Sequence, residues 1–177
     1  NSQTYLIDAS IKDAYHAVSM CNTGYYKMLN TLFEDNYISI FSQSPVGSLA
    51  LGKILGCTFN GTGTLKRNLI DFSDTPFHYP LAGIYTTGLQ IPLNISGAIN
   101  TFQNLNNGIV IFNTDMQISN CSFDRIFQYD NIPTYTKGCA IQADGLSGYY
   151  KLFIDGHIDP VTIDHCKWGI HVTRMGT

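Results

Sequence analysis

Apolar residues recur along this chain in a short cassette. An aliphatic residue is followed three positions on by a small residue, Cys or Asn, and two further by a large apolar residue. It reads Ile54…Cys57-Thr58-Phe59, Ile118…Cys121-Ser122-Phe123 and Ile163…Cys166-Lys167-Trp168. Looser copies stand at Leu6…Ala9-Ser10-Ile11, Met28…Thr31-Leu32-Phe33 and Ile95…Asn100-Thr101-Phe102. A second mark follows most copies: Ala17-Val18, Gly83-Ile84, Gly108-Ile109, Gly138-Cys139 and Gly169-Ile170. From Ile11 through Phe33, Phe59, Phe102 and Phe123 to Trp168 the gaps are 22, 26, 43, 21 and 45 residues. The two gaps of roughly double length predict a degenerate coil or a long loop in each.

Recurrence at a fixed period means that no unit closes a core alone and each stacks on its neighbours. Within a unit the alternation has period 2: Met116 and Ile118 in, Gln117 and Ser119 out; Ile109 and Ile111 in, Val110 out. That is the period of strands. The three-residue step to Cys or Asn breaks the alternation, so a tight turn falls there, occupied by Asn120 and His165. Strand, corner, strand, repeated about every ~22 residues, describes an all-β parallel β-helix, a solenoid of about six to eight coils. Leucine-rich repeats share the period, but their L-x-x-L-x-L run is missing.

The C-x-F and G-I cassettes resemble the coils of right-handed parallel β-helix proteins of the pectate-lyase-like superfamily. The likeness is strongest to the large secreted and surface proteins of Bacteroidetes-type bacteria. The resemblance covers nearly the whole chain and implies an extracellular or cell-surface location. It implies little about activity, because that superfamily holds polysaccharide lyases, glycoside hydrolases, tailspikes and adhesins. Polygalacturonase-like members carry Asn-Thr-Asp, Asp-Asp and Gly-His-Gly on successive coils. Here Asn113-Thr114-Asp115 matches the first, but neither of the others follows.

Composition narrows the partners. Charged residues make up 13% of the chain against about 25% in an average soluble domain, so the surface is solvated by neutral polar groups. With a net charge of −3 and no Lys/Arg cluster, nucleic acid and anionic membrane are poor partners. Glycan or protein suits this surface better. No apolar run approaches the roughly 18 residues of a membrane span. The chain enters a cassette by Leu6 and stops soon after Gly169-Ile170 without a capping helix or polar coil. A single domain over 1–177, internal to a longer solenoid, is therefore expected.

Cys57, Cys121 and Cys166 stand at one place in successive cassettes, where Ala9 and Asn100 also occur. They read as a buried column of small side chains, although an odd count of five also allows disulfides with one free thiol. Cys139 reads as buried in the Ile place after Gly138. C-x-x-C spacing is absent, so neither metal nor cofactor is expected. The large apolar column Phe33, Phe59, Phe102, Phe123 and Trp168 reads as core rather than as a sugar-stacking platform. Between the columns run Thr58, Thr101, Ser122 and Lys167, an outward hydroxyl row ended by a lysine.

Binding residues are expected on loops that exceed a plain coil, at 60–80, 128–137 and 144–160. The ligand candidates there are Phe77, His78, Tyr79, Tyr129, Tyr135, Tyr149 and Tyr150. The ionisable stretch near the end of the chain supplies the catalytic candidates: Asp155, His157, Asp159, Asp164, Lys167 and His171. Paired carboxylates, or a base beside a cation, are what glycosidases and lyases require. The expected function is a non-catalytic scaffold or adhesin-like segment presenting loops to glycan or protein. A β-helix polysaccharide lyase or glycoside hydrolase is the alternative.

Overall fold

The computed structural model describes residues 3–21, 25–43, 51–65, 79–88, 93–95, 97–129, 138–145, 151–156 and 160–173. Every regular element among them is a β-strand. The strands form three separate six-stranded sheets, parallel throughout. The first contains β1 (Gln3–Ile7), β4 (Tyr25–Leu29), β7 (Leu51–Leu55), β10 (Leu93–Ile95), β13 (Met116–Ile118) and β16 (Leu152–Ile154). The second contains β2 (Ser10–Lys12), β5 (Leu32–Glu34), β8 (Thr58–Asn60), β11 (Asn100–Gln103), β14 (Cys121–Asp124) and β17 (Val161–Asp164). The third contains β3 (His16–Cys21), β6 (Ile38–Gln43), β9 (Ala82–Thr87), β12 (Asn107–Phe112), β15 (Cys139–Asp144) and β18 (Trp168–Thr173). The chain visits the three sheets in turn, six times, and each strand pairs with its counterpart one pass away.

The corners explain why these strands are so short. Asp8, Asn30, Gly56 and Asn120 turn the chain from the first sheet to the second, all at positive φ. Asp13, Asp35, Asn104, Arg125 and His165 do the same from second to third. A left-handed residue ends a strand abruptly, and Gly, Asn and Asp adopt that conformation at least cost. Side chains at and beside the corners bond from one pass to the next: Asn30 Nδ2 donates to Asp8 Oδ1 at 3.1 Å, and Asn104 Nδ2 to Asn60 Oδ1, at the end of β8, at 3.1 Å.

One apolar cluster draws on all three sheets, with Met28, Ile54 and Ile118 from the first, Phe33 and Phe102 from the second, and Ile84 and Ile109 from the third. Its spine is a column of fully buried rings. Phe33, Phe59, Phe102 and Phe123 stack with centroids 5.0, 4.5 and 4.7 Å apart and ring planes nearly parallel. Each ring removed from water stabilises by about 1.5–3 kcal/mol, and each offset stack adds about 0.5–1.5 kcal/mol. Val110 does point away from Ile109 and Ile111, yet it is buried in a second cluster with Ile38, Leu81 and Ala82.

The register corrects several sequence expectations. Ile163, not Trp168, follows Phe123 in the ring column, and Trp168 opens β18 opposite Cys139, 55% exposed. The cassette at Ile163 had matched the wrong corner. Asn120 turns first to second sheet, whereas His165 turns second to third, and both corners place a small residue after a left-handed one. For the same reason Cys166 leaves the Cys57–Asn100–Cys121 column and packs half-buried against the core. Thr162, not Lys167, continues the hydroxyl row beyond Ser122. Cys139 is buried, but Ile141 is the residue that pairs with Ile109. Gly138, at φ 70, stands immediately before β15, so Ala140 and not Gly138 takes the small place beside the inward Ile141.

All five cysteines are free, with Cys57, Cys121 and Cys139 buried and Cys21 exposed. Asn100 in the small column does more than fill space. Its Oδ1 accepts the Cys57 N–H at 2.9 Å and its Nδ2 donates to the Ile54 carbonyl at 3.0 Å, so it ties one pass to the next inside the core.

Candidate functional site

Where the second sheet meets the third, register places one residue of each pass in a single outward row: Lys12, Glu34, Asn60, Gln103, Asp124 and Asp164. The corner residues Asn104, Arg125 and His165 follow the last three of these. Two clefts open along this line. One of about 710 Å³ is lined by Gln103, Ser122, Asp124, Phe127, Thr162 and His165, among others. The other, of about 490 Å³, is lined by Asn60, Thr62, Tyr79, Asn104 and Tyr129. Arg125 lines both.

Tyr79 and Tyr129 come from different passes and stack at 4.6 Å with an interplanar angle of 19°. Tyr129 is fixed by its backbone N–H, which donates to Asn106 Oδ1 at 2.8 Å, and Phe127 meets its ring edge-on at 6.1 Å. Burial, with Tyr79 adding to it, pushes the Tyr129 phenol above its usual range, so it stays a neutral donor. The floor beside the pair is held by Asp35, which accepts the Thr62 N–H at 2.7 Å and the Thr62 hydroxyl at 2.6 Å.

At the other end Asp124 is the hub. Arg125 Nε donates to its Oδ2 at 2.9 Å, and His165 Nδ1 lies 3.1 Å from its Oδ1. The same nitrogen is 3.3 Å from Asp164 Oδ2. Partial burial works to raise the Asp124 carboxyl, but the hydrogen bonds from Arg125 and His165 outweigh it and hold the carboxyl below the ordinary Asp range. Asp124, Asp164 and His165 bring their donor atoms within 4.8 Å of one another. Oxygen and imidazole donors of this kind suit a divalent cation, a proton relay or a plain ion-pair cluster.

Of the sequence-derived candidates, Tyr79, Tyr129 and Asp164 converge on this corner. Lys167 lies close by, its Nζ donating to Gln128 Oε1 at 2.6 Å. Asp155 follows β16 on the first sheet, and His171 lies on β18 of the third, its Nε2 3.2 Å from the Thr173 hydroxyl. The structure therefore spreads Asp155, Asp164 and His171 over three sheets. Phe77, His78, Tyr135, Tyr149, Tyr150, His157 and Asp159 lie outside the described residues.

Sequence reasoning missed Asp124 and Arg125. Aligning Phe123-Asp124-Arg125 with Ile163-Asp164-His165, as the register does, would have found them. It also missed an aromatic groove of about 420 Å³ on the third sheet. There Tyr15 stacks on Tyr37 at 5.1 Å, His16 on Phe41 at 4.5 Å and Phe41 on Tyr85 at 5.7 Å. Burial lowers the His16 pKa and keeps its ring neutral among these partners. Compared with family models, curated proteins and solved structures, the chain matches none.

Proposed function

We propose that the three sheets wind as one right-handed parallel β-helix of the pectate-lyase-like kind, and that the chain is a non-catalytic, exported scaffold whose second-to-third-sheet corner binds glycan. The carrying observation is the pair of clefts joined through Arg125 across four passes. At the strand spacing of about 4.8 Å, four passes give an extended track suited to a polymer rather than to a small molecule. The stacked Tyr79–Tyr129 pair offers an apolar ring face for sugar C–H groups. Asn60, Asn104, Ser122 and Thr162 offer neutral donors and acceptors for hydroxyls. A surface location accords with the low charge of the chain.

Retention of the chain in gels cast with single polysaccharides tests this reading. At least one neutral or acidic polysaccharide should retard it, and Tyr129→Ala should weaken that binding about tenfold, the equivalent of one lost stack at about 1.4 kcal/mol. Retardation by none, or an unchanged Tyr129→Ala variant, overturns it.

A second reading, a polysaccharide lyase or glycoside hydrolase, rests on Asp124, Asp164 and His165. Their donor atoms lie within 4.8 Å of one another, and Asp124 is already paired with Arg125 and with the His165 ring that Asp164 also reaches. That pairing favours an ion-pair cluster. Release of reducing ends or unsaturated sugars that stops in Asp164→Asn would replace the first reading by this one.

A further inference from the structure

Among the described residues, three register pairs set two charged side chains side by side on neighbouring strands. Lys12 faces Glu34, and these opposite charges close at 2.5 Å. Asp124 faces Asp164, a like pair, and the His165 ring bridges it, with Nδ1 3.1 Å from one carboxylate and 3.3 Å from the other. The third pair is Lys27 on β4 and Lys53 on β7. Among the described residues, no hydrogen bond or ion pair reaches either ammonium. Like charges directly opposite each other destabilise a sheet. The chain holds only 10 Lys and Arg, so crowding on a generally basic surface does not account for the juxtaposition. In sequence the two lysines are 26 residues apart, and only the register brings them together.

We propose that Lys27 and Lys53 hold one tetrahedral oxyanion between them, sulfate or phosphate in its chemistry, taken free from solution or carried as an ester on a polymer. The site is the mirror image of the acidic pair: there the chain supplies a bridging ring, and here the bridging charge comes from a ligand. Strands lie about 4.8 Å apart, so two flexible lysine stems on neighbouring strands converge on a single anion with several oxygens. Lysine serves such groups as a compact point charge with three donors. Lys53 is exposed and Lys27 half-buried. β1 and β10 flank the two strands, which places the pair inside the first sheet rather than at its edge. The register line runs on from Lys53 to Asn94 and Gln117, neutral amide positions that suit the remainder of a polymer carrying the ester. Nothing acidic stands on this line to repel it.

Mobility of the 177-residue chain in gels cast with dextran sulfate, relative to gels cast with unsulfated dextran, tests the proposal. The sulfated polymer should retard the chain. Lys27→Gln and Lys53→Gln should each weaken that binding about tenfold, the worth of one charge-assisted hydrogen bond. Lys151→Gln removes the same charge from an exposed position four passes away and should leave binding unchanged. Sodium sulfate should compete better than sodium chloride at equal ionic strength if the free ion suffices, whereas competition by sulfated oligosaccharide alone assigns the ester; either result supports the bridged pair. Without ligand at low salt, the urea midpoint of Lys53→Gln should be no lower than that of the parent, because the substitution relieves repulsion. That separates lost binding from a fold defect. The site is remote in register from the corner clefts, so Tyr129→Ala should bind dextran sulfate as the parent does. No retardation by dextran sulfate, lysine variants that bind like the parent, or an equal loss in Lys151→Gln would each overturn the proposal.

Discussion

Gly83 and Gly169 occupy one register column of the third sheet, and the structure predicts opposite responses to the same substitution. A Cβ at Gly83 would lie 2.6 Å from Phe102 Cδ1, 2.8 Å from Cε1 and 3.0 Å from the Gly108 carbonyl oxygen. At Gly169 the nearest atoms belong to Ile163, at 3.8 Å, which is ordinary contact. Replacing either glycine with alanine stabilises by about 0.4–1 kcal/mol through the unfolded chain, but overpacking a tight core costs about 1–3 kcal/mol. Gly83→Ala should therefore lose about 1–2 kcal/mol, whereas Gly169→Ala should be neutral or gain up to about 1 kcal/mol. Urea unfolding gives both values as midpoint shifts at constant slope. Because the clash is with a ring, Gly83→Ala should cost less in a Phe102→Leu background, with a coupling of at least about 1 kcal/mol. Equal responses at the two glycines, or additivity with Phe102→Leu, would refute the claim that the Phe102 ring leaves no room for a Cβ at position 83.

Asn100→Ala removes two buried hydrogen bonds, to the Ile54 carbonyl and from the Cys57 N–H, and takes away the side-chain acceptor of that N–H. It should cost about 2–4 kcal/mol by the same unfolding assay. Burial pushes the Cys57 and Cys166 thiols up and that of Cys121 up to about 12. A thiol reagent on native protein should accordingly label exposed Cys21 first and leave Cys57 and Cys121 unlabelled until denaturant is added. His16 has a folded pKa below its ordinary 6.5 because of burial, so the unfolded chain takes up the proton first. Stability should be full above pH 6.5 and decline as pH falls through 6.5 toward the folded value, and His16→Phe should abolish that slope. Carboxyl titration by NMR should place Asp124 below the usual Asp range, and Arg125→Gln should move it upward.

The repeat was legible wherever side-chain volume carried it. Phe33, Phe59, Phe102 and Phe123 announced their column because only large rings at a constant offset fill that space. It failed at Trp168 because His165-Cys166 at a second-to-third corner has the same form as Asn120-Cys121 at a first-to-second corner, a left-handed residue followed by cysteine, and nothing local tells the two apart. Gly138 misled similarly: a glycine needed for φ 70 looks the same in sequence as one needed for room beside a ring. At the corner site, Tyr79 and Tyr129 stood out as loop aromatics, but their stacking depends on pass register. Arg125 gave no signal, since arginine is not a residue expected in the left-handed region.

The unequal gaps between ring positions carry a consequence for how such a chain diversifies. Phe102 and Phe123 pair across 21 residues, while Phe59 and Phe102 pair across 43, with the same in-register contact at each. Closing a loop twice as long costs only about 0.6 kcal/mol more in chain entropy. Connections can therefore lengthen between passes almost freely while the strand ladder stays in place. Selection is left to act on what those excursions touch, with the corners as permissive ports and the ring column as the fixed gauge.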